Sequence, residues 1–207
     1  MKKIKAILIL IFFLPNLTAN AQKVSITTER NASDRELFAA EYLQKKLSGL
    51  GYTIVGSGAD CRISLAQAKD TTGLKREGFT IRSHGKAIRV MGNDGSGVIY
   101  ACNEIADRAH RTGSLKMPAV VSDAPEMVLR GACVGLQKTT YLPGHGVYEY
   151  PYTPENFPWF YDKQLWIRYL DMLVDNRMNS LYLWNGHPFA SLVRLKDYPF
   201  AVEVDSA

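Results

Sequence analysis

The chain has 207 residues, 46% of them hydrophobic and 22% charged, a balance that excludes disordered, collagen-like and multi-span membrane classes. Its formal charge of +5 comes mostly from residues 1–21, where Lys2, Lys3 and Lys5 precede an apolar run from Ala6 to Leu14 and the small residues Thr18-Ala19-Asn20-Ala21. These are the three parts of a secretory signal cut after Ala21, so the product is expected in the periplasm or outside the cell. Removing that segment takes the charge to +2. No block of Lys and Arg interleaved with aromatics is left to form a nucleic-acid surface, and no later stretch reaches the roughly 20 apolar residues of a membrane span.

After the signal, Val24 to Thr28 alternates like a strand. Ser33-x-x-Glu36 then reads as a capping box ahead of Leu37, Ala40, Leu43 and Leu47 at helical spacing. Gly49 and Gly51 end that helix. Tyr52 to Val55 and Cys61 to Leu65 read as short strands, and Phe79 to Met91 as a hairpin turning at His84-Gly85. A second helix follows from about Val98 to Arg111. The order β-α-β-β-β-β-α predicts a small α/β domain over residues 22–123, closed near Val121-Ser122-Asp123-Ala124-Pro125.

The next region differs in kind, because 15 of the 22 aromatic residues fall between Tyr141 and Phe200. It opens with the apolar run Met127 to Val134, passes through a proline- and glycine-rich stretch, and continues as a helix from about Tyr161 to Asn176 with Leu165, Tyr169, Met172 and Leu173 on one face. Ser180 to Trp184 reads as another strand. Strand, helix and strand make a βαβ unit. One such unit cannot cover both faces of its strands, and a (β/α)₈ barrel takes about 250 residues. Residues 124–207 are therefore expected to be the start of a barrel in a longer protein.

Several motifs carry less chemistry than their composition suggests. Gly92-Asn93-Asp94-Gly95-Ser96-Gly97 lies between strand and helix, yet lacks the order of a dinucleotide fingerprint or the Lys of a P-loop. A tight turn with Asn93, Asp94 or Ser96 as helix cap is expected there. Asp171 with Asp175, and Glu104 with Asp107, read as solvated helix faces. Cys61, Cys102 and Cys133 are too few for a disulfide scaffold and read as buried free thiols. No zinc-ligand spacing is present, and neither metal nor cofactor is expected.

Asp123-x-Pro125-x-x-x-x-Arg130-Gly131, followed by Met178-Asn179-x-Leu181, resembles family 20 glycoside hydrolases of the β-hexosaminidase type. The likeness extends more loosely to α-glucuronidases, which share an N-terminal α/β domain ahead of a barrel. Glu77-Gly78-Phe79 opening the hairpin and Gly97-Val98-Ile99-Tyr100 opening the helix look like the corresponding family signals. The resemblance implies a carbohydrate substrate and offers Arg130 as a contact to sugar hydroxyls, a role suited to a fixed-charge fork of five donors; the equal alternative is an arginine paired structurally at the domain junction. The chain departs from the family at Gly135, where an aspartate is expected, and at Tyr182-Leu183-Trp184, where the family has His-Trp-His. By the same likeness the catalytic Asp-Glu pair would fall beyond Ala207, so no catalytic residue is assigned here.

The end of the last strand, Trp184-Asn185-Gly186-His187, would emerge at the C-terminal face of a barrel, where active sites are built. Trp184 would stack on a sugar, and Asn185 and His187 would bond its hydroxyls; the alternative is a strand-to-loop turn with Trp184 in the core. The expected protein is the N-terminal portion of an exported glycoside hydrolase, inactive by itself. The rival is a noncatalytic carbohydrate-binding protein that stacks sugars on the aromatic-rich region.

Overall fold

The computed structural model describes residues 22–70, 73–136 and 158–185. The expected signal segment and His187 lie outside them. The described chain is an α/β structure with two sheets.

The first sheet has six strands in the order β2-β1-β3-β5-β4-β6: β1 (Lys23–Thr28), β2 (Thr53–Ile54), β3 (Cys61–Gln67), β4 (Phe79–His84), β5 (Ala87–Gly92) and β6 (Val120–Asp123). Pairing is parallel from β2 through β5 and antiparallel where β4 joins β5 and β6. Buried and exposed residues alternate along β3 and β5, so one face carries the core. Helices α1 (Asp34–Gly49) and α2 (Gly95–Thr112) pack on that sheet and on each other. Leu43, Leu47, Ile63, Leu65, Ile81 and Ile105 fill the space between the layers.

Local chemistry explains where the helices start. The Ser33–Glu36 capping box forms as the spacing predicts, and the second oxygen of buried Glu36 accepts a bond from the Gln67 backbone at the end of β3. One carboxylate thus caps α1 and fixes it to the sheet. In α2 the cap is Asp94, which accepts from Gly97 N at 2.8 Å, as expected for a tight turn rather than a nucleotide loop.

Other expectations shift. The buried stripe of α1 runs through Ala39, Ala40, Tyr42, Leu43 and Leu47, whereas Leu37 is exposed, because the sheet meets the helix on a slightly rotated face. Val121 to Asp123, read as the start of the domain boundary, belong with Val120 to edge strand β6 on β4.

The second sheet is a parallel pair, β7 (Gly131–Leu136) and β8 (Ser180–Asn185), with α3 (Lys163–Asp175) between them in sequence. The expected βαβ order is present, but β7 begins later than its apolar run. Met127, Val128 and Leu129 are 67%, 77% and 75% exposed. Of the apolar α3 face, only Leu173 is buried. Cys61 and Cys102 are buried as expected, while Cys133 on β7 is exposed, its strand having β8 as its one neighbour among the described residues.

Candidate functional site

The residues quoted from the separate motifs meet at one place, the joint between the two sheets. Arg130, immediately before β7, donates from Nη2 to Glu77 Oε2 at 2.7 Å and to the Tyr100 hydroxyl at 3.3 Å. Its Nη1 donates to Met127 O and its Nε to Arg177 O, and its guanidinium lies 5.7 Å from the centre of the Tyr100 ring. Asn179, immediately before β8, donates from Nδ2 to both oxygens of Glu77 at 3.1 and 3.2 Å and to Val128 O at 2.8 Å. Its Oδ1 accepts from the Arg130 backbone at 3.0 Å.

The Arg130 and Glu77 side chains are only 14% and 6% exposed, so this pair is held largely out of water. Burial opposes the charge on Arg130, but the bond and the attraction to Glu77 outweigh it and hold the guanidinium above its ordinary pKa. Tyr100 is raised as well, by burial first and by the Glu77 charge second. The guanidinium therefore stays ionised, and the phenol stays neutral, throughout the physiological range.

A second ion-pair cluster lies beside the first. Arg177, just after α3, donates to Asp123 at 2.8 Å and to Glu104 at 2.9 Å and stands over the Phe79 ring at 5.4 Å. Glu104 also takes Arg108, so it belongs to this cluster rather than to a solvated face. Asp175 departs from that expectation too: it accepts bonds from the Tyr42 hydroxyl and Lys46 on α1. Asn103 on α2 donates to Val174 O at 2.7 Å. A cavity of about 220 Å³ lies along the joint, lined in part by Glu77, Phe79, Tyr100, Asp123, Arg130 and Arg177.

Glu77 and Arg177 are the two non-glycine residues with positive φ among those described, at 60° and 54°. Left-handed backbone costs such residues roughly 1–2 kcal/mol. Strain of this kind persists where surrounding bonds over-determine the position, and both residues are held by several. The bonds from Arg130 and Asn179 occupy both oxygens of the Glu77 carboxylate and so join two parts of the chain.

Arg130 does not lie with Trp184 and Asn185 on the paired strands. Arg130 is at the entrance of β7, whereas Trp184 and Asn185 end β8 opposite Gly135 and Leu136. Six residues of strand separate the two ends, about 20 Å. The side chains of Trp184 and Asn185, like His187, lie outside the described residues. Glu77 and Asn179 were not expected as partners of Arg130. Their only signal was membership of the same ordered motifs, since 102 residues separate them. Among the described residues no group of three or more His, Cys, Asp or Glu could hold a metal ion, and no helix is long and apolar enough to cross a membrane.

Solved structures resemble the chain at two levels. A family GH138 enzyme targeting pectin rhamnogalacturonan II is 56% identical, with a TM-score of 0.76, over 88% of this chain and 27% of that one. A β-N-acetylhexosaminidase from Bacteroides fragilis is 20% identical, with a TM-score of 0.51, over 89% of this chain and 35% of that one. A GH115 4-O-methyl-α-glucuronidase with specificity for decorated arabinogalactans is 13% identical, with a TM-score of 0.53, over 81% of this chain and 25% of that one. The last two likenesses concern the fold alone. The chain spans about a quarter to a third of these proteins' lengths. No curated protein compared with the chain matches it. Residues 15–123, just over half of the chain, match the family described as glycosyl hydrolase family 20, domain 2, and the chain belongs to that family.

Proposed function

We propose that the chain is the N-terminal portion of an exported glycoside hydrolase acting on pectic glycans. The observation that carries this reading is the 56% identity to the GH138 pectin-targeting enzyme over 88% of the chain. Two departures from the family 20 pattern, Gly135 and Tyr182-Leu183-Trp184, agree with a substrate other than an N-acetylhexosaminide. In this reading residues 1–21 are the export signal, 22–123 an accessory α/β domain, and 124–207 the start of a glycosidase barrel.

Hydrolysis then depends on carboxylates outside this chain, by an acid with a second carboxylate or by substrate assistance. Trp184, Asn185 and His187 are the proposed sugar contacts, at the end of a strand where barrels build their sites. Arg130 was offered by resemblance as a further sugar contact. The geometry of its guanidinium supports the competing role, a joint between accessory domain and barrel.

Rhamnogalacturonan II fragments and N-acetylhexosaminides, incubated with this chain and with the longer reading frame that contains it, test the proposal by chromatography of released sugars. Release from the pectic fragments by the longer protein, and none by the 207-residue chain, is the expected result. Activity confined to hexosaminides would refute the pectic substrate. Binding of fragments by both proteins without release would favour the carbohydrate-binding alternative.

A further inference from the structure

We infer that Glu77 is a register pin, through which the first sheet sets the alignment of β7 on β8. The inference is independent of what sugar, if any, the protein acts on. It starts from a weakness in the strands themselves. β7 reads Gly-Ala-Cys-Val-Gly-Leu, with two glycines and little side-chain bulk to distinguish one alignment from the next, and glycine-rich strands specify register poorly. A slip by two residues would keep every side chain on its face and move the far end of the pair by about 6.6 Å.

The pin acts at the first rung. Gly131 faces Ser180 there, and the backbones approach so closely that a Cβ at Gly131 would collide with Ser180 Oγ and O. The residues just outside that rung, Arg130 and Asn179, both reach the one carboxylate of Glu77. Asn179 also takes the Arg130 N–H, while Ser180 Oγ and the Asn179 and Ser180 backbone N–H groups donate to Arg130 O. A slipped pair could bring only one of the two side chains to Glu77. The other would be left with unpaired donors, and Glu77, 5% exposed, would lose part of its compensation.

A pin must itself be immobile. Glu77 N donates to Asp94 Oδ2 at 2.9 Å, and the same aspartate caps α2. Asn93 N donates to Gly78 O at 2.8 Å, and α2 comes so near that a Cβ at Gly97 would collide with that oxygen. The left-handed backbone of Glu77 is thus clamped between the β4 entrance and the N-terminus of α2, with its carboxylate turned toward the second sheet.

Residue-resolved amide exchange on the full chain tests the inference in two variants. E77Q keeps the shape and weakens the charge-assisted bonds. Glu77→Gly relieves the backbone while removing the carboxylate, so it guards against loss of the turn itself. In both, exchange of the Gly131–Leu136 and Ser180–Asn185 amides should rise by about 10- to 150-fold, with the β3 and β5 amides unchanged and the amide contacts between Ala132 and Leu181 weakened. Unchanged protection of β7 and β8 in either variant overturns the inference. Equal loss from both sheets in both variants also overturns it, because Glu77 would then serve only its own turn.

Discussion

At the scale of single residues, Arg130 decides between two roles. A guanidinium that binds sugar needs free donors aimed into a substrate cavity, whereas Arg130 spends donors on Glu77, Tyr100, Met127 O and Arg177 O. Removing one partner of a largely buried pair leaves the other uncompensated and costs about 3–5 kcal/mol. Arg130→Ala should therefore destabilise the second sheet and α3, with a midpoint lower by roughly 6–20 °C. Tryptophan fluorescence reads this selectively, because all three tryptophans, Trp159, Trp166 and Trp184, lie in that part of the chain. An unchanged midpoint together with lost turnover in the longer protein would restore Arg130 to the substrate.

At the scale of elements, α3 is held to the first domain by its C-terminal end. Tyr42 on α1 donates to Asp175, which Lys46 also meets at 2.7 Å, and Val174 packs against the core. Burial, then the bond to Asp175, raise the Tyr42 phenol above its ordinary value of about 10. The neutral phenol is the form the fold favours, so its contribution is complete below about pH 10 and falls away as the pH climbs through the higher folded value. Tyr42→Phe should cost about 0.5–1.5 kcal/mol at neutral pH, and chemical denaturation repeated up to pH 11 should show a shallower alkaline loss than in the parent. A parallel loss in both proteins would mean that another group governs the alkaline limb. Local signals such as the Ser33–Glu36 box, and an α2 cap among Asn93, Asp94 and Ser96, were legible in the sequence because each is complete within four residues. β6 was not, since four residues carry little periodicity and its pairing with β4 is remote. The onset of β7 was misplaced for a related reason: Met127 to Leu129 are apolar, but the bonds that gather Arg130 and Asn179 begin the pairing only at Gly131. The joint itself was visible only as a series of motifs in order, and nothing in their spacing says that Glu77, Tyr100, Arg130 and Asn179 converge.

For the whole molecule, the distribution of buried apolar surface sets what can fold alone. The continuous core runs from Val24 to Met117 between the six-stranded sheet and its two helices, and among the described residues after Met117 only Leu173 is a buried apolar residue, with Val121 and Val174 packed against the core. Among the described residues the contacts across the joint are mainly polar: the Glu77 cluster, the Arg177 pairs, Asp175 with α1, and Asn103 with Val174 O. Polar contacts of this kind position two parts more than they supply the free energy of either, whereas the apolar core stabilises by about 25 cal/mol for each Å² removed from water. Residues 22–123 produced alone should accordingly unfold cooperatively, with a far-UV circular dichroism midpoint within a few degrees of that of the same sheet in the whole chain. The whole chain should also bind more of an apolar dye than the shorter segment, through Met127, Val128, Leu129 and the exposed α3 residues Ile167 and Leu170. If residues 22–123 stay unfolded, the joint contributes to the stability of the first sheet itself, and the second part of the chain has to be counted as part of its core.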